Sequence, residues 1–96
     1  MNKYEIMFIV KTTIDEKIAK ESADNLKSII TNMKGKIIDA KEMGQKELAY
    51  PIKKEVSGFY HLLICEASAD AVAEFERISR IDENILRHLI IKLDEE

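Results

Sequence analysis

Lys36 to Cys65 read KIIDAKEMGQKELAYPIKKEVSGFYHLLIC, two strand-like runs with no helical period between them. The first spans Lys36–Lys46 and runs on towards Tyr50; Ile37 and Ala40 break a strict period of two, which predicts a bulge. Pro51 is expected to stop regular pairing, and Lys53–Ser57 to form a polar loop. Gly58–Cys65 is the next strand, apolar on both faces. Two adjacent strands at the centre of a short chain leave the flanks to decide the fold.

Upstream, Thr13-Ile14-Asp15-Glu16 has the form of a capping box, with Thr13 as N-cap and Glu16 three residues on. Ile14, Ile18, Ser22, Leu26, Ile29, Ile30 and Met33 then recur at helical spacing, and Gly35 suits the C-terminal cap. Before this helix, residues 3–10 form a strand rich in β-branched and aromatic side chains. Downstream, Ser68 opens a second helix with Val72, Phe75, Ile78 and Ser79 as its buried stripe. Asp82-Glu83-Asn84 is a turn, and Ile85–Leu93 is the last strand. The order is βαββαβ, an α+β, ferredoxin-like arrangement: a four-stranded antiparallel sheet with two helices on one face.

The 96 residues suffice for one domain, taken as 1–96 with a short acidic end at about 94–96. Apolar residues at 46% and charged residues at 34% fit a folded soluble domain, and a single Cys forms no internal disulfide. No apolar run is long enough to span a bilayer, and no signal-peptide core follows Met1, so the cytoplasm is the expected compartment.

Fifteen Lys and Arg against 18 Asp and Glu give −3, which argues against strong autonomous nucleic-acid binding. Lys34 to Lys54 hold six Lys against Asp39, Glu42 and Glu47, a local +3 that leaves −6 for the rest. A basic middle on an acidic chain is compatible with local phosphate contact.

Two helices cover one face of a four-stranded sheet and leave the other bare. A bare face should turn polar, yet Met7 and Ile9, Tyr60 and Leu62, and Leu89 and Ile91 oppose apolar neighbours along their strands. An apolar patch of several hundred Å² exceeds what a soluble monomer usually exposes. A protein partner across the open sheet is therefore expected, or self-association through it. Met7, Ile9, Tyr60, Leu62, Leu89 and Ile91 are the candidate partner contacts.

Catalytic constellations are missing. Neither a G-x-x-x-x-G-K-[ST] nor a G-x-G-x-x-G pattern occurs, and there is no nucleophile elbow. His61 and Cys65 are separated by about 13 Å along a strand, too far to share an ion, and Cys65 reads as a small core hydrophobe. His88 reads as structural, and Asp82 and Glu83 as turn residues. The Lys11-Thr12-Thr13 segment lacks the Gly and Arg of an acylphosphatase phosphate loop. Ser57–Ile64 shares only Gly-Phe with the RRM stacking run, so base stacking on the sheet is not expected. No catalytic residue, cofactor or metal is assigned.

Gly44-Gln45-Lys46-Glu47-Leu48-Ala49-Tyr50-Pro51-Ile52-Lys53-Lys54, followed by Gly58-Phe59-Tyr60, resembles the hallmark of the bacterial small-subunit ribosomal protein S6 family. Lys3-Tyr4-Glu5-Ile6 and Asn84-Ile85-Leu86-Arg87-His88 with Lys92 are similar to that family's first and last strands. The resemblance implies a non-enzymatic structural protein that binds small-subunit ribosomal RNA together with the basic ribosomal protein S18, supporting subunit assembly and translation. That partner would supply positive charge and cover the apolar face. In some relatives a ligase appends glutamates to the acidic end; here Asp94-Glu95-Glu96 reads as a solvated tail. RNA contacts are then expected at Lys46, Lys53, Lys54, Arg80, Arg87 and Lys92, mainly to backbone and shape. The opposing reading is a self-associating regulatory or small-ligand-binding domain of the same fold, a homo-oligomer when isolated.

Overall fold

The computed structural model describes residues 2–93; the acidic end at 94–96 lies outside them. The elements follow the order β1 (Asn2–Lys11), α1 (Glu16–Asn32), β2 (Lys36–Ile52), β3 (Glu55–Ala67), α2 (Ala69–Ile81) and β4 (Ile85–Leu93). The strands form one antiparallel sheet in the order β2-β3-β1-β4, which is the expected ferredoxin-like topology. β1, one of the two central strands, is the richest in β-branched and aromatic residues, with Tyr4, Ile6, Phe8, Ile9 and Val10.

Alternation along β1 sends Tyr4, Ile6, Phe8 and Val10 to the helix side. Leu63, Cys65 and Ala67 of β3 join them, and Leu26, Ile30, Ala71 and Phe75 close the layer from above. α1 buries Ala19, Ser22, Ala23, Leu26 and Ile30. Ile18, expected in that stripe, is exposed: the small Ala19 and Ala23 let the helix approach the sheet, and Ile18 falls beside the line of contact. α2 buries Ala71, Phe75 and Ser79, with Val72 and Ile78 packed at the margin.

Both caps of α1 differ from the sequence-based expectation. Asp15, not Thr13, is the N-cap, and its carboxylate accepts from the Lys17 N–H at 2.9 Å. Thr13, between β1 and α1, instead donates to the carboxylate of Glu55, the first residue of β3. At the other end the left-handed residue is Lys34, at φ 67°, rather than Gly35. Gly35 is needed for proximity: a Cβ there would lie 2.7 Å from the Ile30 carbonyl and 2.8 Å from that of Glu66. The α2 cap is as expected, Ser68 Oγ accepting from the Ala71 N–H at 3.2 Å.

The centre of the chain departs most. β2 continues through Pro51 to Ile52, and Ile52 pairs with Glu55 around a two-residue turn. Lys53 and Lys54 both have positive φ (50° and 69°), the signature of a type I′ hairpin turn, so the expected loop over Lys53–Ser57 is a hairpin tip. Pro51 is tolerated because β2 is an edge strand and its register breaks between Glu47 and Ile52. The bulge predicted near Ile37–Ala40 is present, with a second register break between Glu42 and Gly44. These breaks bend the hairpin into an arm.

Candidate protein and nucleic-acid interface

The pairing registers assign every side chain of the face away from the helices. Ile9 lies between Tyr60 and Arg87, Met7 between Leu62 and Leu89, and Glu5 between Ile64 and Ile91. Five of the six residues expected to pack against a partner therefore occupy two consecutive rows, and Ile91 begins the third. Leu89 and Ile91 are 45% and 46% exposed, while Met7, Tyr60 and Leu62 are half-buried by their neighbours. The rows end in charge: Lys41 stands beyond Leu62 on β2, and Lys3 pairs with Glu66 below.

Ile9 corrects the sequence-based list. It is on the open face but only 3% exposed, so it supports the surface rather than presenting itself to a partner. Its cover is local. Leu86, left unpaired by a register shift in β4, packs with Ile9 over Gly58. A Cβ at Gly58 would come within 2.2 Å of the Ile9 methyl, so only glycine admits this packing. The bent arm then reaches over the same end of the face, and a groove of about 170 Å³ runs between Leu48, Tyr50 and Ile52 on the arm and Met7, Ile9 and Leu89 on the sheet.

Two hydrogen bonds fix the arm. Arg87 Nη1 donates to the Tyr50 hydroxyl at 2.6 Å, and Lys53 Nζ donates to the Ile85 carbonyl at 3.2 Å. Neither contact was legible beforehand, because each joins residues more than thirty apart through a turn with no Gly or Asn to announce it. Pro51 restricts Tyr50 to the extended backbone it has in β2.

The six expected RNA contacts do not form one cluster. Lys53, Arg80 and Arg87 line a single cleft between the arm tip, the end of α2 and the start of β4. Lys54 adjoins it on the turn. Lys46 stands on β2 with its ammonium 5.8 Å from the centre of the Tyr60 ring, at the opposite margin of the open face. Lys92 pairs with Tyr4 near the far end of β4, about 16 Å along the strand from Arg87. All six are exposed.

Titratable groups inside the chain are arranged for packing. Burial pushes the Cys65 thiol up, as for a core hydrophobe. Burial and then Lys27 push the His61 imidazole down, and its ring stacks on Phe8. Among the described residues no group of His, Cys, Asp and Glu could hold a metal ion, and no helix is long and apolar enough to cross a membrane.

A family model described as ribosomal protein S6 matches residues 3–92. A crystal structure of 30S ribosomal protein S6 from Thermotoga maritima superposes with a TM-score of 0.89 at 29% identity, covering 96% of this chain and 87% of that one. An uncharacterised protein from Thermotoga maritima shares the fold, with a TM-score of 0.59 at 14% identity over 97% of this chain and 98% of that one.

Proposed function

The chain belongs to the ribosomal protein S6 family, structural proteins of the small ribosomal subunit, and from that premise we propose that it binds small-subunit ribosomal RNA jointly with ribosomal protein S18. The open sheet face takes the protein partner, and the arm with its adjoining cations takes the RNA backbone. The molecule acts without catalysis, as a cytoplasmic, ribosome-associated scaffold that supports subunit assembly and translation.

The observation that carries this reading is the juxtaposition of the two surfaces. Met7, Leu62, Leu89 and Ile91 offer an apolar strip, and Arg87 and Lys53 stand at its end. A net charge of −3 makes phosphate binding by the chain alone weak, and a basic partner seated on the strip corrects that deficit. Apolar burial supplies association energy at about 25 cal/mol per Å², less the cost of ordering two molecules.

A shallow cleft of about 230 Å³ between α1 and the β2–β3 pair, bounded by Glu16, Asp24, Glu42 and His61, favours the alternative of a self-associating small-ligand domain. It is less well supported, because self-association would use the apolar strip but leaves the cationic arm without a role. Sedimentation decides between them. Epitope-tagged chain in a cell extract is expected to travel with small ribosomal subunits at low salt; a tag that stays at the top of the gradient as a homo-oligomer contradicts the proposal.

A further inference from the structure

We propose that the cleft between α1 and the β2–β3 pair is a binding site for a small organic monocation, a primary ammonium on a compact apolar body. It lies on the helix side of the sheet, behind the apolar strip, so it goes beyond the ribosomal reading and does not depend on it.

α1 gives the cleft one helix face, positions 16, 19, 20, 23 and 24. The small Ala19 and Ala23 leave room at the margin of the helix–sheet contact. There β2 shifts register between Glu42 and Gly44, and Gly44 takes a positive φ of 80°. The space is about 230 Å³, below the roughly 300–1,000 Å³ of sites for drug-sized ligands, so its occupant is small. Ala19, Ala23 and Phe59 offer that occupant apolar contact.

The charge of the cleft selects the charge of the ligand. Glu16, Asp24 and Glu42 line it against a single ammonium, that of Lys20. Among the described residues the one ion pair joins Arg77 to Glu74, so all three carboxylates keep their charge unpaired. A cleft of this sign draws in a cation and opposes an anion.

His61 supplies the second, independent observation. It lines the cleft, is only 9% exposed, and its Nδ1 has no hydrogen-bond partner. Buried polar atoms are almost always paired, and an unpaired one needs an explanation. Stacking on Phe8 fixes the ring in place. Burial, then Lys27, lowers its pKa, and Glu42 and Asp24 oppose that shift, so the ring is neutral near pH 7 and carries one acceptor nitrogen. An ammonium N–H at the inner end of the cleft pairs with His61 in the tautomer that leaves Nδ1 unprotonated. Glu42, opposite His61 in the β2–β3 register, then faces the ligand's charge.

The test uses the full chain with benzylammonium as the probe, followed by backbone amide and imidazole NMR at about pH 7. Millimolar benzylammonium is expected to move the amides of Ala23, Gly44 and His61, together with the His61 ring nitrogens. Benzyl alcohol, its neutral counterpart, is expected to bind severalfold more weakly, and benzoate not at all. Asp24→Asn with Glu42→Gln, both exposed and outside the core, is expected to weaken binding about tenfold. His61→Phe, which keeps the stacked ring, is expected to weaken it severalfold, and Glu5→Gln on the opposite face leaves it unchanged. Absence of localised shifts, equal binding of benzyl alcohol or benzoate, or shifts indifferent to the Asp24 and Glu42 pair overturns the site. Binding that His61→Phe leaves intact reduces it to surface ion pairing and overturns it too. None of these readouts involves RNA or S18, so the site can fail while the ribosomal reading stands, and the reverse.

Discussion

His61 lies face to face with Phe8, ring centroids 4.8 Å apart and 7° from parallel, with Nδ1 buried and unpaired. Burial, then Lys27, lowers its pKa from 6.5, and Glu42 and Asp24 oppose that shift only in part. A lowered histidine value means that the unfolded chain binds the proton more readily than the folded one. The packing therefore contributes fully above the unfolded value of 6.5 and is lost as pH falls from there towards the folded value, by at most about 1.4 kcal/mol per pH unit. Urea unfolding at about pH 7 and about pH 5 is expected to show a larger loss for the native chain than for His61→Phe, which keeps the stacked ring without the proton site. Equal losses would contradict it. At this scale the sequence was partly readable. Cys65 and the Ser68 cap followed from residue type and position, whereas Thr13, expected to cap α1, is bonded to Glu55 and Asp15 takes the cap instead.

The β2–β3 hairpin is the element on which both proposed surfaces depend. Lys53 and Lys54 hold positive φ without glycine's freedom, a cost of roughly 1–2 kcal/mol for each residue in the left-handed region. Lys53 recovers part of that cost through its bond to the Ile85 carbonyl. The pair Lys53→Asn with Lys54→Gly, the favoured type I′ sequence, is thus expected to stabilise the chain by about 1 kcal/mol. The same change should weaken RNA binding, because it removes two cations from the arm tip. Denaturant midpoints and RNA titrations check both halves, and a variant that loses stability shows the turn to be unstrained. The same two lysines hid the turn from sequence reasoning. Helices announced themselves through period, α2 also through its Ser68 cap, and the central strands through apolar runs, but Lys-Lys carries none of the Gly or Asn that marks a tight hairpin. Pro51 added a false stop, since its edge position could be known only after strand order was known.

The whole molecule is a sheet with one face packed and the other half-finished. Helices α1 and α2 cover Ile6, Phe8, Leu63 and Cys65, while Met7, Leu62, Leu89 and Ile91 behind them meet only the arm at one end. Alternation in three strands was enough to assign this face, because a period of two admits no intermediate. The cations were harder to place: their grouping depends on how α2 ends against β4, which no local pattern records. On the proposed reading, an apolar strip bordered by Arg87 and Lys53 on a chain of net −3 makes RNA binding depend on a second, basic protein. Replacing Leu89 and Ile91 by Asp leaves the helix-side core untouched and should block that docking. The most direct test is a fluorescence titration of a labelled small-subunit rRNA junction with this chain at fixed salt, with and without S18. The account predicts weak binding by the chain alone, binding at least about tenfold tighter with S18, and loss of that gain in Leu89→Asp with Ile91→Asp. Equally tight binding by the chain alone, or a gain that survives both substitutions, would contradict it.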